Sequence, residues 1–151
     1  MPKLPSETLL PYRPVSPHPN LVTEACLKAL EFQLHQAREA YETAQKIEDV
    51  NEWRRQAATP LRDVRYFAAR VRTAQVITTP VSTDIVVFGS TVTFRRDDGR
   101  VQKYRIAGED EADPKAGSIS FVSPVARILM GKAVGDVVGT SGQELEIIAI
   151  S

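Results

Sequence analysis

Apolar side chains between residues 27 and 44 recur at alternating steps of three and four, which is the spacing of a heptad seam on an α-helix. Neither proline nor glycine interrupts the chain from Asn20 to Thr59, so a long helix can form there without a break. Asn20 is a candidate N-cap, because its side-chain oxygen can accept a hydrogen bond from the first helical turn. We therefore predict a first helix from about Asn20 to about Lys46. Its seam consists of Leu27, Leu30, Leu34, Ala37, Tyr41 and Ala44.

A second seam with the same spacing follows a short break near Glu48. Pro60 lies inside it, and an interior proline costs a helix about 3 kcal/mol. Because the heptad phase continues across Pro60, we favour one kinked helix. The alternative is that Thr59 caps a helix starting at Pro60, with residues 50–58 as a separate turn or short helix. Two arms of roughly 26 residues predict an antiparallel helical hairpin about 40 Å long. The second seam consists of Val50, Ala57, Leu61, Val64, Ala68 and Val71, with Arg54 and Gln75 as its polar members.

Short runs of β-type residues replace the helical pattern after Ile77. The sequence Asp97-Asp98-Gly99-Arg100 indicates a hairpin turn in which Gly99 supplies the positive φ. Ser123 can cap a short helix that starts at Pro124 and ends before Gly131. These signals predict a small twisted sheet with one helix. The expected strands are residues 85–88, 91–95, 101–106, 119–122, 137–139 and 145–150.

The chain therefore has three predicted parts and an α+β fold class. Residues 1–19 contain six prolines and form an extended lead-in. Residues 20–77 form the N-terminal antiparallel helical hairpin, a coiled coil, and residues 81–151 form the small β-sheet domain with one short helix. The acidic turn at residues 109–113 is expected to be a solvated loop rather than a metal site.

Composition limits the classes of function only weakly. The 19 basic and 19 acidic side chains balance, so net charge does not indicate a partner. No apolar run approaches the roughly 20 residues that a membrane span needs. Cys26 is the single cysteine, which rules out an internal disulfide and a cysteine metal cluster. These features are typical of a cytoplasmic protein without a membrane partner.

Several motifs in the carboxy-terminal half follow one another in order. They are Phe-Gly-Ser-Thr-Val-Thr-Phe-Arg-Arg at residues 88–96, Tyr-Arg-Ile-Ala-Gly-Glu-Asp-Glu-Ala-Asp at 104–113, Lys-Ala-Gly-Ser-Ile-Ser at 115–120, Ser-Pro-Val-Ala-Arg-Ile-Leu-Met-Gly-Lys at 123–132 and Val-Gly-Asp-Val-Val at 134–138. Together they resemble the GreA/GreB family of bacterial transcription elongation factors. The resemblance implies an FKBP-like sheet domain that docks on RNA polymerase. By the same resemblance, Ser123, Pro124 and Arg127 belong to the polymerase-binding surface.

The break between the two seams is similar to the acidic tip of that family. The family motif Asp-Leu-Ser-Glu-Asn corresponds to Asp49–Trp53 here, and both acidic positions keep their spacing. The resemblance implies that Asp49 and Glu52 help to hold a second Mg²⁺ in the polymerase active centre. The neighbouring Glu48 is a candidate third acid or substitute ligand. Mg²⁺ takes one or two carboxylates together with waters and phosphate oxygens. The alternative is that both acids merely stabilise the start of a helix.

Arginines dominate the second helical arm, and Asp63 is the single acid among residues 54–72. Such a face suits the phosphates of nascent RNA or an acidic polymerase surface, and the resemblance implies a basic patch in this domain. The alternative is an ordinary solvated helix face. The family's Ala-Glu-Tyr after the tip becomes Arg54-Arg55-Gln56 here. The candidate basic residues are Arg54, Arg55, Arg62 and Arg65.

The resemblance implies a factor that binds RNA polymerase at its secondary channel and stimulates cleavage of backtracked nascent RNA. Such a factor is not an enzyme itself and needs no cofactor of its own, since the Mg²⁺ belongs to the polymerase active centre. Its partners are RNA polymerase and the 3′ end of the nascent RNA. One alternative is a regulator that binds polymerase without cleavage. A second is a prolyl isomerase, suggested by fold analogy alone.

Overall fold

The computed structural model describes residues 13–78, 83–140 and 143–151, so residues 1–12 of the predicted lead-in lie outside the described part. The chain divides into two compact units. One unit contains Leu27–Ala74 with the described residues before Leu21, and the other contains Leu21–Cys26 and Gln75–Ser151. Two long helices followed by a mixed sheet make the fold α+β, as predicted. Among the described residues, no helix is both long and apolar enough to span a membrane.

Two helices, α1 (Glu24–Gln45) and α2 (Val50–Thr73), form the hairpin. At 22 and 24 residues they are about 33 and 36 Å long, somewhat shorter than the predicted arms. Residues 46–49 connect them, and residues 20–22 before α1 pair with residues 74–76 after α2, so the helices run in opposite directions. Four of the six predicted seam positions of α1 are buried, namely Leu30, Leu34, Ala37 and Ala44. The other two, Leu27 and Tyr41, are half-buried, and Cys26 is buried as well.

Helix α2 continues through Pro60. The single-helix interpretation is therefore confirmed, and the alternative of a new helix beginning at Pro60 is wrong. Pro60 lacks the amide that would bond one turn back, which costs about 3 kcal/mol. Apolar positions on both sides, such as buried Ala57 and half-buried Leu61 and Val64, offset this cost by keeping one face against the hairpin interior.

Asn20 does not cap α1, so that prediction is wrong. The helix starts at Glu24, and the Thr23 hydroxyl accepts a hydrogen bond from the Cys26 amide at 3.0 Å. Asn20 instead begins strand β1 (Asn20–Val22), which pairs with β2 (Ala74–Val76). Its side chain is nearly inaccessible and bonds to Arg70. The last turn of a helix leaves carbonyl groups without partners, and the Asn20 amide donates to one of them.

The second unit is built on a five-stranded sheet. Its strands are β3 (Thr91–Arg96), β4 (Val101–Ala107), β5 (Ser118–Ser120), β6 (Val137–Thr140) and β7 (Gln143–Ile150), in the order β5-β4-β3-β7-β6. Among the described strands of this sheet, only the β4–β5 pair is parallel. A short helix, α3 (Pro124–Leu129), contributes Leu129 to the same core as Phe94 and Ile147. The alternation of apolar and polar residues along β3 follows from one buried and one outward face.

Local signals in this unit are largely confirmed, with one clear error. Gly99 has φ +87° at the turn between β3 and β4, and Gly131 has φ +81° immediately after Met130, the C-cap of α3, as expected. Residues 85–88, however, are not a strand. Val86 is buried, and its backbone bonds to the Lys132 carbonyl and the Gly131 amide at 2.8 Å each. The backbone of this segment therefore forms its hydrogen bonds with the loop after α3 instead of with a strand of the sheet.

Candidate functional site

The predicted tip acids lie at the turn between the two helices and not along their sides. Asp49 has extended backbone angles, and its carboxylate accepts a hydrogen bond from the Glu52 amide at 2.9 Å. The Asp49 carbonyl accepts the first helical bond, from the Trp53 amide at 2.8 Å. Asp49 is thus the N-cap of α2, as the capping alternative expected, and Glu52 lies in its first turn.

Glu52 is engaged by its own helix. One carboxylate oxygen forms an ion pair with Arg55, and the other accepts a hydrogen bond from Gln56 at 2.9 Å. The Gln56 hydrogen bond and the positive charge of Arg55 hold the pKa of the Glu52 carboxyl below its ordinary value of 4.5. Glu52 is therefore ionised at neutral pH.

Asp49 differs from Glu52 in how its oxygens are used. One oxygen caps α2, and the second has no hydrogen-bond partner among the described residues. Carboxylate oxygens are suitable donors for Mg²⁺ when waters and phosphates complete its shell. Within residues 13–78, 83–140 and 143–151, no three His, Cys, Asp or Glu side chains group as a metal site of the chain's own would require. The two carboxylates at the turn could hold Mg²⁺ only if other molecules supplied the rest of its ligands.

The arginines of α2 do not form one continuous exposed face. Arg55 and Arg65 are exposed, whereas Arg54 and Arg62 are half-buried. Arg62 Nε lies 3.5 Å from a carboxylate oxygen of Asp63. The basic face proposed from the sequence is consequently narrower than the run of arginines indicates.

The described part of the lead-in contacts α2 through Arg13, which the sequence did not single out. The guanidinium carbon lies 3.9 Å from the ring centre of Tyr66 and 5.0 Å from that of Phe67. Arg13 Nη1 also lies 3.2 Å from the Asp63 carboxylate. A cation over an aromatic face is a favourable contact, and here it is joined to an ion pair. No short-range spacing connects Arg13 with residues some fifty positions later, so sequence reasoning had no signal for it.

The predicted polymerase-binding residues lie at the start of α3. The Ser123 hydroxyl accepts a hydrogen bond from the Ala126 amide at 3.3 Å, so Ser123 is the N-cap and Pro124 the first helical residue. Pro124 and Arg127 are exposed. Ala126 and Leu129 are fully buried, which fixes the opposite face of α3 in the sheet domain. The arrangement presents Pro124 and Arg127 to solvent on a rigid element.

The acidic turn after β4 is an anchor, and the expectation of a merely solvated loop there is wrong. Glu111 accepts hydrogen bonds from Arg105 at 3.0 Å and from the Thr23 hydroxyl at 3.3 Å. Leu21 approaches the turn so closely that a Cβ at Gly108 would lie 2.3 Å from its carbonyl oxygen. Within the second unit, these contacts attach β1 and the first turn of α1 to the sheet.

Comparison with known proteins identifies a matching family model, several sequence relatives and a similar solved structure. A family model described as "Transcription elongation factor, GreA/GreB, C-term" matches residues 81–151. The transcription elongation factor GreA of Sphingopyxis alaskensis is 52% identical over 64 residues, which cover 42% of this chain and 40% of that protein. The chain thus spans less than half the length of that relative. GreA of Vibrio parahaemolyticus is 38% identical over 133 residues, covering 86% of this chain and 75% of the relative. The crystal structure of GreA factor homolog 1 (Gfh1) of Thermus thermophilus aligns with a TM-score of 0.41 at 23% identity, covering 89% of this chain and 99% of that one.

Proposed function

The chain belongs to the GreA/GreB family of transcription elongation factors, and we propose on that basis that it binds RNA polymerase at the secondary channel and stimulates cleavage of backtracked nascent RNA. The polymerase performs the phosphodiester chemistry, and the protein acts as an accessory factor. The observation that carries the proposal is the position of Asp49 and Glu52 at the turn of a hairpin whose arms are about 33 and 36 Å long. A helical hairpin of this length can bring the two carboxylates to a polymerase active centre that a compact domain at the channel entrance cannot reach.

In this proposal the two tip acids supply oxygen ligands to a Mg²⁺ ion shared with the polymerase. A second metal ion of this kind stabilises the attacking and leaving oxygens of an in-line displacement. Asp49 offers the oxygen that does not cap α2, while Glu52 offers a carboxylate after exchange of its partners Arg55 and Gln56. The cap fixes Asp49 and the start of α2 in place, so the donor is oriented before binding.

The sheet domain is proposed to hold the protein at the channel entrance. Ser123, Pro124 and Arg127 form its contact with RNA polymerase, because the cap fixes α3 and leaves Pro124 and Arg127 exposed. On the hairpin, the exposed guanidinium group of Arg65 is suited to a phosphate of the nascent RNA 3′ end. Half-buried Arg54 and Arg62 are less accessible and contribute less to this contact.

A reconstituted backtracked elongation complex tests the proposal. The wild-type protein should speed release of the RNA 3′ fragment, and Asp49→Ala and Glu52→Ala should abolish this stimulation while polymerase binding persists. Glu31→Ala is the matched control, since Glu31 is an exposed acid on α1 that lies fourteen residues before the end of the helix. Absence of binding to the polymerase would refute the proposal altogether.

One observation favours a second candidate, a regulator that binds polymerase without cleavage. Arg55 and Gln56 occupy both oxygens of Glu52, at positions where the family motif has other residues. Binding without any stimulated cleavage in the same assay would select this candidate. Within the described residues nothing favours a prolyl isomerase, because Phe88 and Phe94 are buried in the sheet domain instead of lining an open groove.

A further inference from the structure

Arg13 is held on one flank of α2 by three neighbouring side chains. Its Nη1 atom lies 3.2 Å from the Asp63 carboxylate, and its guanidinium carbon lies 3.9 Å from the ring centre of Tyr66 and 5.0 Å from that of Phe67. Tyr66 and Phe67 follow Asp63 by three and four positions, so the three side chains share one face of the helix. The Arg13 side chain is 37% exposed and that of Asp63 is 26% exposed, so solvent screens the ion pair only in part.

The segment of residues 13–20 is attached to α2 a second time, at its other end. The Asn20 side chain accepts a hydrogen bond from an Nη atom of Arg70 at 2.7 Å and donates one to the Arg70 carbonyl oxygen at 2.8 Å. Arg70 follows Asp63 by seven positions, so both attachments lie on the same flank of the helix. Three prolines lie between them. Because proline also restricts the unfolded backbone, holding this segment in place costs less conformational entropy than holding a flexible one.

Arg13 contacts the part of α2 that follows the weakest point of that helix. Pro60 has no amide to donate to the carbonyl one turn back, and its ring opposes the helical backbone. Apolar packing offsets only part of this cost, because in α2, which lies wholly within the described residues, only Ala57 and Arg70 are fully buried. The three side chains that hold Arg13 lie in the first two turns after Pro60.

We propose that residues 13–20 form a brace that keeps α2 helical across Pro60, with Arg13 as the residue through which the brace acts. Opening of the first turn after the proline would displace Asp63 from the two aromatic rings. The ion pair and the stacked guanidinium group could then not both be kept, so Arg13 opposes the opening. The intact helix begins at the tip, next to its N-cap Asp49. Arg13 is therefore a positioning residue for the tip, and this last step rests on the proposed function.

Amide hydrogen exchange of the full chain, followed by NMR without polymerase, tests the brace. In an α-helix each amide bonds to the carbonyl four residues back, so the amides of residues 61–64 span Pro60. Arg13→Ala should speed the exchange of these amides by about three- to twenty-fold, the combined range of a surface ion pair and a cation–π contact. Arg13→Lys keeps the charge but loses the flat group over Tyr66, so it should give intermediate rates.

Arg38→Ala is the matched control, since Arg38 is an exposed arginine on α1, and its exchange rates should equal those of the wild type. The amide of Leu34, in the middle of α1, is the internal reference and should change much less than residues 61–64 in Arg13→Ala. Equal acceleration at both places would mean that Arg13 stabilises the whole hairpin and not the helix across Pro60. That result, or unchanged exchange at residues 61–64, would overturn the brace.

The cleavage assay tests the positioning role separately. Arg13→Ala should lower the rate of stimulated cleavage at saturating protein, because the tip is held less firmly. The protein concentration that gives half of this rate should stay the same, because the contact residues at the start of α3 are unaltered. An unchanged maximal rate would overturn the positioning role. If the wild-type protein stimulates no cleavage, the proposed function fails, while hydrogen exchange still decides whether Arg13 braces α2.

Discussion

Asn20 and Arg70 bond to each other at the base of the hairpin, fifty residues apart in the chain. An Nη atom of Arg70 donates to the Asn20 side-chain oxygen at 2.7 Å, and the Asn20 amide donates to the Arg70 carbonyl oxygen at 2.8 Å. The two residues are 3% and 1% exposed. A guanidinium group taken out of water needs acceptors of this kind, so the pair determines how the two ends of the hairpin meet.

Asn20→Ala should lower the free energy of unfolding by about 1–3 kcal/mol, because it removes an acceptor from a buried charge and a donor from a helix-end carbonyl. Urea unfolding monitored by circular dichroism measures the change. Asn51→Ala, at an exposed position in the first turn of α2, is the control and should change stability much less. Equal losses of stability in the two variants would show that the buried hydrogen bonds between Asn20 and Arg70 contribute no more than an exposed side chain does.

Gly108→Ala should destabilise the attachment of β1 by about 1–3 kcal/mol, the usual cost of forcing extra volume into a packed site. The added Cβ would lie 2.3 Å from the Leu21 carbonyl oxygen, and backbone atoms cannot rotate away as a side chain does. Hydrogen exchange gives a local measurement, since the Ile77 amide donates to the Val22 carbonyl at 2.9 Å. That amide should exchange faster in the variant. Unchanged protection at Ile77 would show that Leu21 and Gly108 are not in such close contact.

The parts of the fold that were predicted correctly have local causes. The seam of Leu30, Leu34 and Ala37 follows from helical periodicity, and the cap at Ser123 with Pro124 after it follows from helix-end chemistry. The errors involve distant partners. Asn20 is of a residue type that often caps helices, but its actual partner, Arg70, lies near it only in the folded chain.

The candidate site shows the same difference between features with local causes and features that depend on distant partners. The turn position of Asp49 could be predicted because it depends on the break between two seams, and the Glu52–Arg55 pair has a spacing of three that sequence reasoning could have used. The stacking of Arg13 on Tyr66 and the link from Thr23 to Glu111 join residues more than fifty positions apart. No periodicity or cap signal connects such pairs, so they emerge only from the structure.

Pro60→Ala should raise the free energy of unfolding by about 1–3 kcal/mol. Alanine restores the missing amide donor and removes the ring that opposes helix, and this gain exceeds the loss from a more flexible unfolded chain. The effect is expected because α2 is continuous across this position. Thermal and urea unfolding measure it, with Thr59→Ala as the exposed neighbouring control. A loss of stability in Pro60→Ala would mean that the proline ring stabilises the folded protein. The expected destabilisation of α2 by an interior proline would then be wrong.

The turn between β3 and β4 should make a small, pH-dependent contribution to stability through Asp98. The hydrogen bond from the Arg100 amide at 3.0 Å, together with the Arg100 guanidinium at 2.6 Å, holds the pKa of the Asp98 carboxyl below its ordinary value of 3.8. Because the folded pKa is depressed, the contribution is present above about pH 4, the unfolded pKa, and is lost as the pH falls through the folded value. Asp98→Asn removes the charge, so the variant should be slightly less stable than the wild type at pH 6 and should approach it near pH 2. Unfolding free energies of the two proteins across this range check the sign, and a difference that grows towards low pH would contradict it.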